Sequence, residues 1–137
     1  MPKNWTHAWS RIGTTWFTLI NTPAGWHEHE RKCKAIEPGR STLARIMNVG
    51  EQKHLLQMLK GHANHAWVGG VQVARDWHFW YDSQTKQLTN MKFTFWEGKQ
   101  PNKDGHCIAI NKDNGKWHDV ECSVAWSALC ELRCDKI

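Results

Sequence analysis

The chain has 137 residues, a length that suits one domain with a real core and leaves no room for a second. Its formal net charge of +5 would attract acidic glycans or anionic cell walls, although the same charge also serves solubility alone. Lysines and arginines are scattered without helix-turn-helix or zinc-finger spacing, which disfavours nucleic acid as a partner. No apolar run reaches the roughly 18 residues of a membrane span, so we expect no membrane insertion.

The first predicted elements are a strand and a helix. Residues Thr14–Ile20 are rich in β-branched and aromatic side chains, which favours a strand that ends at Asn21. Thr22 is a predicted N-cap, with Pro23 as the first helical residue. The helix is expected to end before Pro38. One face of it, which turns Cys33 inward, consists of Trp26, His29, Cys33 and Ile36.

A short strand is predicted at Leu43–Ile46, before a second helix. Asn48 with Glu51 three residues later resembles a capping box at the start of that helix. Gly61 is well placed as its C-terminal cap. The apolar residues between these caps are Leu55, Leu56, Met58 and Leu59.

Helical periodicity stops beyond Gly61. Short apolar and aromatic runs separated by turn residues then predict strands and loops. The runs are Trp67–Val68, His78–Tyr81, Phe93–Trp96, Cys107–Ile110 and Ser127–Leu132. Two helices in the first half and several strands in the second predict one α+β domain over residues 1–137, with mostly antiparallel sheets flanked by the helices.

The last third of the chain carries a fixed order of landmarks. They are Trp96, Gln100-Pro101-Asn102, Gly105, Cys107, Trp117-His118-Asp119, Cys122 and Ala128–Glu131. This order resembles the sugar-binding end of a C-type lectin-like domain. Upstream, Trp26 lies seven residues before Cys33, as in the family's first helix, and His65–Gly70 matches its Trp-Ile-Gly strand. The resemblance implies a fold in which the first and last strands pair and a long irregular loop carries the site.

The chain has five cysteines. The family pattern pairs Cys33 with Cys130 and Cys107 with Cys122, the alternative being reduced buried thiols. Disulfides belong to oxidising compartments, so we expect a secreted, extracellular protein, although the N-terminus has no secretory signal pattern. Cys134 is left over, which suggests either an intermolecular bridge or a free thiol, and we predict a disulfide-linked homo- or heterodimer.

In the family, side chains from two motifs hold a calcium ion, and here the set is mixed. The retained ligand positions are Gln100, Asn102 and Asp119. The family's glutamate falls on Gly105, and its asparagine falls on His118. Calcium takes about six to eight oxygens and gains affinity from carboxylates, whereas a nitrogen ligand is disfavoured. With Asp119 as the one certain charge, and Asp104 as a candidate substitute, we expect weakly bound calcium or none.

The same pocket could hold a saccharide directly, by hydrogen bonds and an aromatic ring against the apolar face of the sugar. The predicted carbohydrate-binding residues are Gln100, Asn102, Asp104, His118, Asp119 and Trp96. Trp80 and His106 are further candidates for the ring, whereas Trp117 is expected in the core.

The resemblance also bears on which sugar the site takes. Gln100-Pro101-Asn102 is a hybrid of the family's mannose-type Glu-Pro-Asn and its galactose-type Gln-Pro-Asp. Because an amide and a carboxylate differ in donors and acceptors, the hybrid matches neither fully. Because Gln100 is shared with the galactose-type motif, we expect the ligands to be galactose-type or N-acetylhexosamine glycans of microbes or cell surfaces.

The sequence also bears on two other classes of function. His27–Glu30 lacks the spacing of the His-Glu-x-x-His zinc signature, and neither a Gly-x-Ser-x-Gly motif nor a phosphate loop occurs, so we expect no catalytic residue and no enzyme. A lectin-like domain that binds protein, ice or mineral is the remaining alternative. The two lost calcium ligands favour it, whereas joint retention of Gln100, Asn102 and Asp119 favours a glycan.

Overall fold

The computed structural model describes residues 2–3, 6–74, 77–98 and 106–133, and the structural statements below concern these residues. The helices are α1 (Trp26–Ile36) and α2 (Val49–Leu59). The strands are β1 (Ser10–Ile12), β2 (Thr15–Ala24), β3 (Ser41–Leu43), β4 (Ala66–Ala74), β5 (Trp77–Asp82), β6 (Gln87–Asn90), β7 (Cys107–Ile110), β8 (Trp117–Val120) and β9 (Trp126–Arg133). The predicted α+β class is confirmed.

Strand β9 lies at the centre of the sheet. It pairs antiparallel with β2 and with β3, and parallel with β4, so the expected pairing of the first predicted strand with the last is confirmed. The main path runs β1-β2-β9-β4-β5-β6. Two strands lie off this path: β7 pairs antiparallel with β4, and β8 pairs antiparallel with β7.

The first helix starts later than the sequence predicted. Thr22 and Pro23 belong to β2, because that strand continues beyond an irregularity until Ala24 pairs with Trp126. Gly25 is the extended N-cap, and the Trp26 amide donates to the carbonyl of Cys122. The predicted helix face is confirmed, since all four of its residues are buried: Trp26, His29, Cys33 and Ile36.

Two predicted strands differ from the observed ones. The strand expected at Leu43–Ile46 begins earlier, at Ser41, because Ser41–Leu43 is the segment in register with β9. The run Phe93–Trp96 forms no named strand and makes only a single bridge, from Trp96 to Trp117. Its aromatic rings instead pack against the core.

The second helix carries the predicted caps. The Asn48 side chain accepts a hydrogen bond of 2.9 Å from the Glu51 amide, and the Glu51 carboxylate accepts from the Met47 amide. Gly61 follows the helix with a φ of +83°, the left-handed conformation that a glycine tolerates after a helix end. Leu55 and Leu59 are fully buried beneath α2.

Two apolar clusters and two disulfides hold the layers together. The first cluster contains Phe17, Leu55, Ile108, Trp117 and Leu129; the second contains Trp26, Trp67 and Ala128. The disulfides Cys33–Cys130 and Cys107–Cys122 are present as the family pattern implied. Cys134 lies outside the described residues.

A buried network of charges surrounds β9. Glu131 is 1% exposed and accepts from the Arg45 guanidinium at 2.7 Å and from the Arg133 guanidinium at 3.2 Å. Arg133 also donates to the carboxylate of Glu51 on α2. Burial alone would lower the pKa of Arg133, but Glu131 and Glu51 outweigh it and raise that pKa. The network thus ties β9 to the start of α2.

In the described part of the chain, no helix is long and apolar enough to cross a membrane.

We expect Glu131→Gln to lower the free energy of unfolding by about 3 kcal/mol, because it leaves two buried guanidinium groups short of a counter-charge. Urea denaturation with the disulfides intact measures the change. Glu28→Gln is the control, since it removes only the exposed pair with Lys32 and should cost less than about 1 kcal/mol. Equal stability of wild type and Glu131→Gln would contradict the role given to this network.

Candidate functional site

Strand β8 holds the described residues on both sides of segment 99–105. Before the segment, the Trp117 amide donates to the Phe95 carbonyl at 2.8 Å, and the Glu97 amide donates to the Trp117 carbonyl at 3.0 Å. After it, the His106 amide donates to the Val120 carbonyl at 3.3 Å. Glu97 and His106, which flank the segment, therefore lie beside opposite ends of β8.

Several predicted site residues lie within that segment. Gln100, Asn102 and Asp104 are outside the described residues, as are Pro101 and Gly105. The predicted site residues that the structure does describe are Trp96, His118 and Asp119.

Neighbouring residues of the Trp117-His118-Asp119 motif point to opposite faces of β8. Trp117 and Asp119 are buried, whereas His118 and Val120 are partly exposed, as the alternation of a strand requires. His118 and Asp119 therefore have different neighbours, although they are adjacent in sequence.

Asp119 lies in a buried polar and aromatic cluster. Its Oδ2 atom is 3.3 Å from Nε2 of His78, and neither side chain is more than 5% exposed. The His78 ring lies 5.2 Å from the Trp96 ring, edge to face, and Trp96 contacts Trp117 in the same way at 5.6 Å. His78 thus brings Trp96 and Asp119 together. The sequence predicted His78 only as part of an apolar run. The alternation of side chains along β5 was the signal that could have indicated which face His78 lies on.

His118 belongs to a second cluster on the other face of β8. Its Nε2 atom lies 2.9 Å from Oε2 of Glu97, with both side chains about one third exposed. Its ring stacks on His65 at a centroid distance of 6.3 Å, and His65 meets Trp126 edge to face at 5.1 Å. Neither Glu97 nor His65 is among the site residues that the sequence predicts.

His65 is held in its neutral form. Its Nδ1 atom accepts a 3.0 Å hydrogen bond from the Lys112 amide, which requires an unprotonated nitrogen. Burial lowers the pKa of His65 below its usual value of 6.5, and the neighbouring His118 and Lys112 lower it further. Asp113 acts in the opposite direction. The unfolded chain therefore takes up a proton more readily, so stability falls as the pH drops below about 6.5.

The aromatic candidates separate by burial. Trp80 is fully buried and packs on Trp117, so the prediction of a sugar-facing Trp80 is wrong: strand alternation turns this ring into the core. Trp117 is fully buried, as expected. Trp96 is partly buried and His106 is exposed.

Comparison with known proteins identifies the family. The family model described as "Lectin C-type domain" matches residues 22–132. The chain belongs to the C-type lectin domain family.

Individual relatives of this lectin domain include one described as galactose-specific. Nattectin, "Galactose-specific lectin nattectin" of Thalassophryne nattereri, is 32% identical over 94% of this chain and 78% of its own length. Other curated relatives are longer, and the chain spans 30% of bovine L-selectin, which is 30% identical.

Solved structures share the fold. The C-type lectin domain of murine dendritic cell inhibitory receptor 2, solved with an N-glycan, has a TM-score of 0.79 and 24% identity, with 98% of this chain and 99% of that chain covered. A calcium-independent type II antifreeze protein has a TM-score of 0.78 and 21% identity, with 97% of this chain and 94% of that chain covered. At these identities the likeness concerns the fold alone.

The described donors of this lectin domain suit calcium poorly. Asp119 directs its carboxylate at His78, and His118 offers a nitrogen that already contacts Glu97. Within the described ranges, no group of three or more His, Cys, Asp or Glu side chains is arranged to hold a metal ion. Hard cations prefer several oxygens, of which carboxylates count most.

We expect His118→Gln to raise the pKa of His65, because the variant removes a neighbouring positive charge. The His65 ring protons, followed by NMR through a pH titration, measure the change.

The matched variant Asp113→Asn should shift the pKa of His65 the other way, because Asp113 favours the protonated ring. Shifts of the same sign in both variants would contradict the electrostatic account of this cluster.

Proposed function

We propose that this C-type lectin domain binds saccharides of the galactose or N-acetylhexosamine class with little or no dependence on calcium, and that it is not an enzyme. The observation that carries the proposal is the attachment of both flanks of segment 99–105 to β8. The positions of these flanks support the proposal that Gln100 and Asn102 in the segment and Asp119 on β8 serve one ligand.

Recognition would combine polar and apolar contacts. Asp119, whose side chain is buried beside His78, would accept hydrogen bonds from sugar hydroxyls once the ligand displaces that contact, while the amides of Gln100 and Asn102 would both donate and accept. The partly buried Trp96 ring, held by His78 and Trp117, would supply a rigid flat surface for the apolar face of the sugar. His118 and Asp104 would line the rim.

Two findings support the sugar class. Nattectin is described as galactose-specific and matches most of this chain, and Gln100 occupies the first position of the motif as in galactose-type members. The glycans would be those of microbial or host cell surfaces.

Low calcium dependence rests on the donor set. Of the retained ligand positions, only Asp119 carries a charge, and it lies beside His78. Gly105 has no side chain to offer, and His118 replaces an oxygen ligand by nitrogen. A weakly bound ion held by Gln100, Asn102 and Asp119 would be the most that these residues support.

A non-sugar ligand is the second candidate. The observation that favours it is the same pairing of His118 with Glu97 and of Asp119 with His78, which engages both polar side chains within the protein. The fold neighbours of this lectin domain include a protein described as a calcium-independent antifreeze protein. A protein or an ordered solid surface would then be the ligand.

We expect Asp119→Asn to weaken binding of N-acetylgalactosamine about tenfold or more, because a charged acceptor contributes roughly 1.5–3 kcal/mol to its hydrogen bonds. Isothermal titration calorimetry, run once in calcium and once in chelator, measures this affinity. Asp113→Asn removes an equal charge from an exposed turn and should leave the affinity unchanged.

The two solvent conditions separate the candidates. Equal affinity in calcium and chelator is the expected result. Affinity lost in chelator would contradict calcium independence, and absence of binding to a galactose and N-acetylhexosamine panel in both conditions would favour the non-sugar ligand.

The cysteines support an extracellular location and a covalent dimer. The structure has two disulfides, as is usual in oxidising compartments, and Cys134 would join a second chain. We expect non-reducing electrophoresis to show a dimer that Cys134→Ser converts to a monomer. A wild-type monomer with one titratable thiol would contradict this arrangement.

A further inference from the structure

A cationic groove lies between α2 and the turn that follows β7. It has a volume of about 420 Å³ and is lined by Lys53, Leu56, Gln57, Lys60, Lys112 and Asp113. We call it the lysine groove. The residues predicted for the saccharide site that the structure describes, Trp96, His118 and Asp119, do not line it.

The two walls of the lysine groove are fixed to each other. The Gln52 side chain donates to the Gly115 carbonyl and accepts from the Trp117 indole at 2.8 Å, both as buried hydrogen bonds. Gly115 has a φ of +74°, and a Cβ atom there would lie 2.6 Å from Gln52 Nε2. The turn is therefore seated directly on α2.

Hydrogen bonds within the turn fix its shape. The Gly115 amide donates to the Asn111 carbonyl at 2.8 Å, and the Asp113 amide donates to the Asn111 side chain at 2.8 Å. The Lys112 amide is held by His65. Because these bonds lie within the protein, the backbone of the turn loses little conformational freedom when a ligand binds.

The charge of the groove is unbalanced. Lys112 is paired with Asp113 at 2.9 Å, whereas no ion pair within the described residues involves Lys53 or Lys60. Lys53 lies on α2 and Lys60, seven residues later, is its C-cap, a spacing that corresponds to about 10 Å along the helix axis. A row of cations of this length suits an extended anionic chain better than a single small ion.

The lining chemistry narrows the class of anion. Among the described residues that line the groove none is aromatic, so they offer the bases of a nucleic acid no stacking partner. The Leu56 side chain offers apolar contact to a sugar ring, and the Gln57 amide offers hydrogen bonds to it. We propose that the lysine groove binds a sulfated polysaccharide, independently of the saccharide site.

The test uses a labelled heparin oligosaccharide and fluorescence anisotropy at several salt concentrations. The variant Lys53→Gln/Lys60→Gln should weaken binding about tenfold and reduce the slope of log affinity against log salt by about one to two, since each lysine displaces counterions. Lys112→Gln, from the opposite wall, should also weaken binding. Affinity for N-acetylgalactosamine should stay unchanged, which separates this result from the fate of the proposed function.

The matched control is Arg31→Gln/Lys34→Gln, which removes two exposed charges from α1. This control should change the heparin affinity less than about twofold. An equal loss in both double variants, or no loss in the Lys53→Gln/Lys60→Gln variant, would overturn the groove as the site. Equal binding of desulfated heparin, or of duplex DNA with the same dependence on the groove lysines, would overturn its assignment to a sulfated polysaccharide.

Discussion

The pairing of strand β9 with three other strands is the constraint on which the described fold depends. Residues 127–132 of β9 are all buried, so their backbone groups need partners inside the protein. Strands β2, β3 and β4 supply them. The disulfide from Cys130 to Cys33 and the contacts of Glu131 with two arginines then fix β9 to α1 and α2. Residues distant in sequence are thereby held in one register.

The candidate site is connected to that constraint through a short series of strands. Strand β4 joins β9 to β7, and β7 carries β8 at its side. Trp117 begins β8 inside the core, where its indole donates to Gln52 of α2. Once Trp117 is buried, alternation along the strand directs Asp119 toward His78 and His118 toward Glu97. Both polar clusters therefore follow from the burial of one tryptophan.

Much of this architecture could be predicted from local patterns. The buried face of α1, the Asn48 cap and the glycine after α2 follow from spacing and from the chemistry of single residues. The start of α1 could not, because Thr22 and Pro23 carry a helix-start signal that pairing of Ala24 with β9 overrides. Propensity is a weak prior where a long-range strand pairing competes with it.

The site itself was less predictable than the fold. The motif located Asp119 and His118, but their partners His78, Glu97 and His65 are distant in sequence and were not proposed. His78 lies 41 residues from Asp119, and only the joint placement of β5 and β8 brings them into contact. The burial of Trp80 likewise depends on which face of β5 meets the core.

The central claim is that segment 99–105 and β8 together form one saccharide site. Backbone amide chemical shifts, recorded while N-acetylgalactosamine is added in chelator, test it most directly. The account predicts that the largest shifts occur at residues 97–106 and at His118–Val120, with little change at the lysine groove. Shifts confined to other surfaces, or to only one of these two segments, would contradict it.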